Sequence, residues 1–175
     1  MARKEFRLTG SGGQGLILAG IILAEAALYD GMNVVQSQSY GPEARGGASK
    51  AEVIISKDAI NYPKVNDCDI LLCLTEVAYN KYLDSLKPGG ILIMDSSIEG
   101  SRRNDIKVYS MPILKTASEK LGKPMVANIV ALGAIYELTK ITSKESLEKA
   151  VLDRVPKGTE ELNRRALEEG FDLAI

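Results

Sequence analysis

Apolar and polar positions alternate around Phe6 and Leu8 in KEFRLT, Lys4 to Thr9, and the alternation ends at a run of glycines, which predicts a first strand. From Gln14 to Tyr29 the chain reads QGLILAGIILAEAALY, apolar on nearly every side, so the helix predicted there must be covered by neighbours on several faces. Gly31 stops it, and NVVQSQ, Asn33 to Gln38, predicts a second strand. ASKAEVIIS, Ala48 to Ser56, predicts a third, weakly alternating and then continuously apolar. Asp69 to Leu74 (DILLCL) and Gly90 to Asp95 (GILIMD) are short apolar runs of the kind that parallel strands show when both faces are buried. Between them EVAYNKYLDSLKPGG predicts a helix ended by Pro88 and two glycines, which completes a strand–helix–strand crossover.

IKVYSMP predicts a last strand from Ile106 to Ser110, halted by Pro112. The remainder is helical in pattern: Ile113 to Leu121, a long apolar segment from Met125 to Leu138, and charged segments from Lys144 to Leu152 and Glu160 to Glu169. No linker, repeat or low-complexity stretch divides the chain, so residues 1–175 are expected to form one domain. The expected fold is α/β, a three-layer sandwich with a mostly parallel sheet and a helical C-terminal third.

Charge narrows the partners. The chain carries 22 basic and 23 acidic side chains for a net −1, mixed along its length, so no basic stripe invites nucleic acid. The longest apolar stretch, Leu16 to Ala24, is far short of the roughly 20 residues of a membrane span. MARKEFRLTGSGGQG has no apolar run before its glycines, so no secretory signal is read and a cytoplasmic location is expected. The two cysteines, Cys68 and Cys73, match neither a zinc hook nor an iron–sulfur spacing, and Cys73 sits in an apolar strand pattern as a small hydrophobe. Histidine is absent, which removes the usual general base near neutral pH and with it the ordinary serine or cysteine triads. The expected catalytic residues of this chain, and its expected metal ligands, are therefore none.

Two glycine loops hold the candidate chemistry. The first is Gly10, Ser11, Gly12, Gly13, Gln14 and Gly15, a G-x-G-x-x-G between a strand and a helix. Bare backbone there admits an anion, and the helix dipole favours it by roughly 0.3 to 1 kcal/mol. The acid that would hold a ribose at the end of a second Rossmann strand is missing, because Gln36, Ser37 and Gln38 are neutral. A nicotinamide or flavin site is therefore the weaker reading. Steric relief, with Gly12 and Gly15 letting the apolar helix approach the sheet, stands level with anion binding. Gln14 is expected to project from the helix end toward a partner or ligand.

The second loop is SYGPEARGGASK, in which Tyr40, Gly41, Pro42, Glu43, Arg45, Gly46 and Gly47 form a turn with more charge than a turn requires. Glu43 and Arg45 either make a local ion pair, worth about 0 to 1 kcal/mol when exposed, or aim a guanidinium and two glycine N–H groups at a neighbouring subunit or an anion. Asn128 is a polar residue on an otherwise apolar helix, held by a neighbouring loop or contacting a ligand. Thr75 and Glu76 follow a parallel strand, where open sheets gather ligands, but an N-cap for the next helix explains them better.

Taken together, GSGGQGLILAG, QSYGPEARGGASKAEVIIS and ANIVALGAI resemble the gamma subunit of the 2-oxoacid:ferredoxin oxidoreductases, in order, from about Glu5 to Leu138. The resemblance implies an enzyme that oxidatively decarboxylates a 2-oxoacid to an acyl-coenzyme A and passes two electrons to ferredoxin. It also implies alpha, beta and delta partner subunits. Thiamine diphosphate, magnesium and the iron–sulfur clusters would reside on them, since this chain has no thiamine-binding acidic motif and no cluster cysteines. Coenzyme A is a ligand that the second loop could contact. The wording QSYGPEARGGASK looks most like the 2-oxoglutarate type, giving succinyl-coenzyme A. Pyruvate, branched-chain and indolepyruvate types, and a freestanding dinucleotide-binding oxidoreductase, are the alternatives.

Overall fold

The structure, a computed structural model, describes residues 3–39, 48–100 and 103–175. Its sheet has six strands: β1 (Lys4–Gly10), β2 (Asn33–Gln38), β3 (Ser49–Ser56), β4 (Cys68–Cys73), β5 (Leu86–Asp95) and β6 (Lys107–Met111). They lie in the order β2-β3-β1-β4-β5-β6. β4, β5 and β6 follow β1 in parallel, whereas β3 runs antiparallel to both β1 and β2. The expected three-layer α/β sandwich with a mostly parallel sheet is what forms, with one reversed strand inside it.

Helices cover both faces. α1 (Leu16–Tyr29), α4 (Ala127–Thr139), α5 (Lys144–Arg154) and α6 (Glu160–Leu173) pack on one face over Phe6, Leu8, Val53, Ile70 and Leu72. α2 (Glu76–Tyr82) lies on the other, where Ala78, Tyr79 and Tyr82 meet Ile54, Leu71 and Leu92. β4 alternates its side chains between two covered faces and so reads as a nearly unbroken apolar run, whereas β1 keeps its alternation by burying Glu5 and Arg7 in ion pairs. Each fully buried Leu, Ile or Phe contributes roughly 1.5 to 3 kcal/mol. No helix among the described residues is long and apolar enough to cross a membrane.

The all-round apolar α1 has neighbours on several sides, as its sequence demanded. It lies close against the sheet at Gly20, where a Cβ would stand 3.1 Å from that of Ala51 on β3. Its C-terminal end is stitched to α5. Asp30 accepts from Ser143 N (2.6 Å), Ser143 Oγ (2.8 Å) and Ser146 Oγ (2.6 Å), while Tyr29 donates to Asp153 and Arg154 pairs with Glu25. Ser143 in turn caps α5 by accepting from Ser146 N. α4 and α6 cross in backbone contact, since a Cβ on Gly133 would overlap the carbonyl of Leu167 and one on Gly170 that of Val130.

Several boundaries shift by a few residues from their sequence expectations, and one shift moves residues from a helix into a strand. The helix after β4 ends at Tyr82 and a single tighter turn, Leu83–Ser85, and the Leu-Lys-Pro-Gly-Gly segment already belongs to β5. Two features explain this. Arg103 donates to the carbonyls of Leu83 (2.9 Å) and Leu86 (2.7 Å), satisfying the helix end. The ladder between β4 and β5 shifts register between Cys68 and Ile70, and this irregularity accommodates a proline that cannot donate. After β6 the short α3 (Ile113–Lys115) runs into a wider turn, Thr116–Lys120.

Candidate functional site

The carboxyl ends of β1 and β4 lie side by side, and the chain leaves them for opposite faces of the sheet, through α1 from β1 and α2 from β4. That divergence opens a crevice of the kind in which open α/β sheets hold ligands. Its floor is pinned by Leu74 N donating to Thr9 O at 3.0 Å. On the β4 side Thr75 Oγ1 accepts from Ala78 N at 3.2 Å, so Thr75 is the N-cap its sequence suggested, with Glu76 in the first turn.

On the β1 side the first glycine loop turns through two left-handed residues, Gly13 (φ 86) and Gly15 (φ 74). Gln14 does not project outward: its Oε1 accepts from Ser11 N at 2.8 Å, and the side chain folds over Gly10, whose missing Cβ makes the room. Gly15 meets Asn128 rather than the sheet, with a Cβ there 2.5 Å from the Asn128 amide nitrogen. Gly12 and Gly13 are exposed, and a Cβ on either would meet nothing within 4 Å among the described residues. The steric reading of Gly12 and Gly15 therefore moves to Gly20, which is where the helix meets the sheet. What Gly12 and Gly13 supply is open backbone, next to a helix start that has no side-chain cap and no acid in its first turn.

Asn128 is buried. Its Nδ2 donates to Gly15 O at 3.1 Å and its Oδ1 accepts from Ile129 N at 2.9 Å, so it braces the loop from α4. The sequence offered this as one of two readings, and a lone amide at the head of an apolar helix was the signal.

Tyr40, Gly41, Pro42, Glu43, Arg45, Gly46 and Gly47 lie outside the described residues, but their flanks do not. Gly10 is registered against Ser49, Gln38 against Ala51, and Ser39 N donates to Lys50 O at 3.2 Å. The second loop thus leaves and rejoins the sheet at the edge that carries the first. The reversed β3 accounts for this, and it also separates β2 from β1, so Gln36 and Gln38 stand two strands from the glycine loop, Gln36 donating to Gln38 at 2.6 Å. A Rossmann ribose acid would need β2 beside β1.

Other groups are committed to structure. Asp95, at the end of β5, accepts from Ser97 N and Oγ and from Leu114 N. Burial pushes the Cys68 and Cys73 thiols up to about 12, so both remain protonated and unreactive. Among the described residues no three His, Cys, Asp or Glu side chains gather as a metal site.

An open sheet with a bare glycine loop at its switch point, and with the flanks of a second glycine-rich segment beside it, defines a class. The model of the family described as pyruvate ferredoxin/flavodoxin oxidoreductase matches residues 5–173, and the chain belongs to that family. It is 54% identical to the 2-oxoglutarate synthase subunit KorC of Methanocaldococcus jannaschii, over 98% of this chain and 94% of that one. The crystal structure of the gamma subunit of a keto/oxoacid ferredoxin oxidoreductase from Geobacter sulfurreducens superposes with a TM-score of 0.89 at 53% identity, covering 98% of each chain. The 2-oxoglutarate:ferredoxin oxidoreductase of Magnetococcus marinus, solved with 2-oxoglutarate, coenzyme A and succinyl-CoA bound, shares the fold at a TM-score of 0.90 and 24% identity. There the match covers 99% of this chain and 31% of the longer one.

Proposed function

We propose that this chain is the gamma subunit of a 2-oxoglutarate:ferredoxin oxidoreductase, a single gamma-type domain over residues 1–175 that is not catalytic alone. The complex converts 2-oxoglutarate and coenzyme A to succinyl-CoA and carbon dioxide, and passes two electrons to ferredoxin. The observation that carries this reading is the 54% identity to a 2-oxoglutarate synthase subunit across nearly the whole of both chains. Alpha, beta and delta subunits are its partners in the cytoplasm, and they hold thiamine diphosphate, magnesium and the iron–sulfur clusters. The described residues supply exposed backbone instead: Gly12 and Gly13, at the β1 side of the crevice, in a loop braced by Gln14 and Asn128. Coenzyme A phosphates, or an acidic group of a partner, suit that backbone together with Arg45 and the glycines beside it.

Co-expression with the genes for the candidate partners tests the assignment. The tagged chain is expected to bring down subunits with thiamine and iron–sulfur chromophores, and the complex to reduce ferredoxin only when 2-oxoglutarate and coenzyme A are both present. Saturable binding of a nicotinamide or flavin nucleotide by the isolated chain, or turnover without partners, would replace it with the freestanding enzyme. Arg45→Ala should raise the KM for coenzyme A or loosen the complex while the chain stays folded. A variant complex with unchanged composition and kinetics removes the second loop from the site.

A further inference from the structure

The other edge of the sheet carries a second cavity. Lys4, Lys87 and Lys107 stand at or near the amino ends of β1, β5 and β6 and line a space of about 420 Å³, within the roughly 300 to 1,000 Å³ of small-molecule sites. Phe6, Ile70 and Ile91 give it an apolar lining, and Leu138 and Thr139, in the last turn of α4, contribute a wall. The first glycine loop lies at the opposite end of β1.

The three lysines are not equivalent. Lys87 Nζ donates to Glu5 Oε2 at 2.9 Å and Asp69 Oδ1 at 3.3 Å, and Asp69 also accepts from Glu5 N, so its charge is spent within the fold. Among the described residues Lys4 and Lys107 enter no ion pair. With Asp69 balanced against Lys87, the lining retains two uncommitted positive charges in a chain whose net charge is −1. β1 and β6 are three strand spacings apart and Lys107 is level with Phe6, two residues along from Lys4, so these two cations arise about 16 Å from one another at the backbone, on either side of the apolar surface. The carbonyl end of α4 opposes an anion here, but Lys140 N donates to Tyr136 O, which takes up one of its last four carbonyls.

We propose that this cavity binds a small organic dianion, with one carboxylate toward Lys4, the other toward Lys107, and the hydrocarbon between them over Ile91 and Leu138, above the buried Phe6 and Ile70. Glutarate is the probe, titrated into the full chain by calorimetry and by amide NMR. One equivalent is expected to bind, to shift the amides of Phe6, Ile70 and Ile91, and to weaken as salt is added. The monoanion butyrate, and the double variant Lys4→Ala/Lys107→Ala, should each lose about ten-fold or more in affinity. Lys4→Arg/Lys107→Arg keeps both charges and should keep the binding. The proposal is overturned if glutarate shifts none of these amides, if the alanine variant binds as tightly as the parent, or if the shifts fall at Gly12 to Gly15. None of these outcomes bears on the subunit assignment, which is read from co-purification and turnover.

Discussion

Asn128 Nδ2 donates to Gly15 O at 3.1 Å, so the start of α4 holds the glycine loop from 113 residues away. The same carbonyl accepts Ala19 N at 3.0 Å, which begins the ladder of α1. Asn128→Ala removes one of these bonds and leaves the other, and it is expected to cost about 1 to 3 kcal/mol. Thermal unfolding gives the size, and hydrogen exchange gives the place: Ser11 to Leu16 should exchange faster, while the amides of β4 and β5 keep their protection. Unchanged exchange in the loop would show that Asn128 does not brace it.

Gly12 and Gly15 should behave in opposite ways. At Gly15 a side chain meets both a left-handed φ of 74 and the Asn128 amide 2.5 Å away, so Gly15→Ala is expected to lose about 2 kcal/mol or more. At Gly12 a Cβ meets open space, and Gly12→Ala should unfold within about 0.5 kcal/mol of the parent. A Gly12 variant that folds normally but fails in the assembled enzyme assigns that position to binding. Normal activity there assigns it to neither role.

Acid sensitivity has an address in Glu5. Burial alone would raise its carboxyl pKa, but hydrogen bonds and charge from Lys87 and Arg3 outweigh burial and hold it below the usual glutamate range. A depressed pKa contributes stability that is present above the unfolded value and is lost as pH falls through the folded one. For Lys87, burial works against the charge and Glu5 and Asp69 more than restore it, so its raised pKa contributes below the unfolded value and is lost as pH climbs through the folded one. Glu5→Gln is therefore expected to lower Tm near neutrality and to flatten its decline on the acid side. If the acid limbs of parent and variant are parallel, Glu5 is not the group responsible.

The crossing of α4 and α6 tolerates no added atom. Gly133→Ala or Gly170→Ala drives a methyl group into a main-chain carbonyl that cannot swing aside, and either is expected to cost about 3 kcal/mol or more. Denaturant unfolding of the two variants measures it; a cost below about 1 kcal/mol would mean that the helices separate easily.

Most strands were legible because each is an apolar run closed by glycine, proline or a polar cluster, and β2 matches its expected bounds. The end of α2 was not, because Pro88 and its glycines read as a helix stop, while the bulge that admits them into β5 depends on β4 across the sheet. The reversal of β3 was available in principle. Residues 39–48 are too few for a crossover of a dozen or more, which leaves an antiparallel return. Local chemistry misled at Gln14, whose amide finds Ser11 three residues back. The lysine cavity gave no sequence signal, since Lys4, Lys87 and Lys107 are brought together only by strand order.

Because β3 returns antiparallel beside β2, residues 40–47 join two neighbouring strands, and no parallel pairing of the sheet depends on their length or wording. Exchanging residues 40–47 between relatives should carry partner or ligand preference with it and leave the scaffold behind.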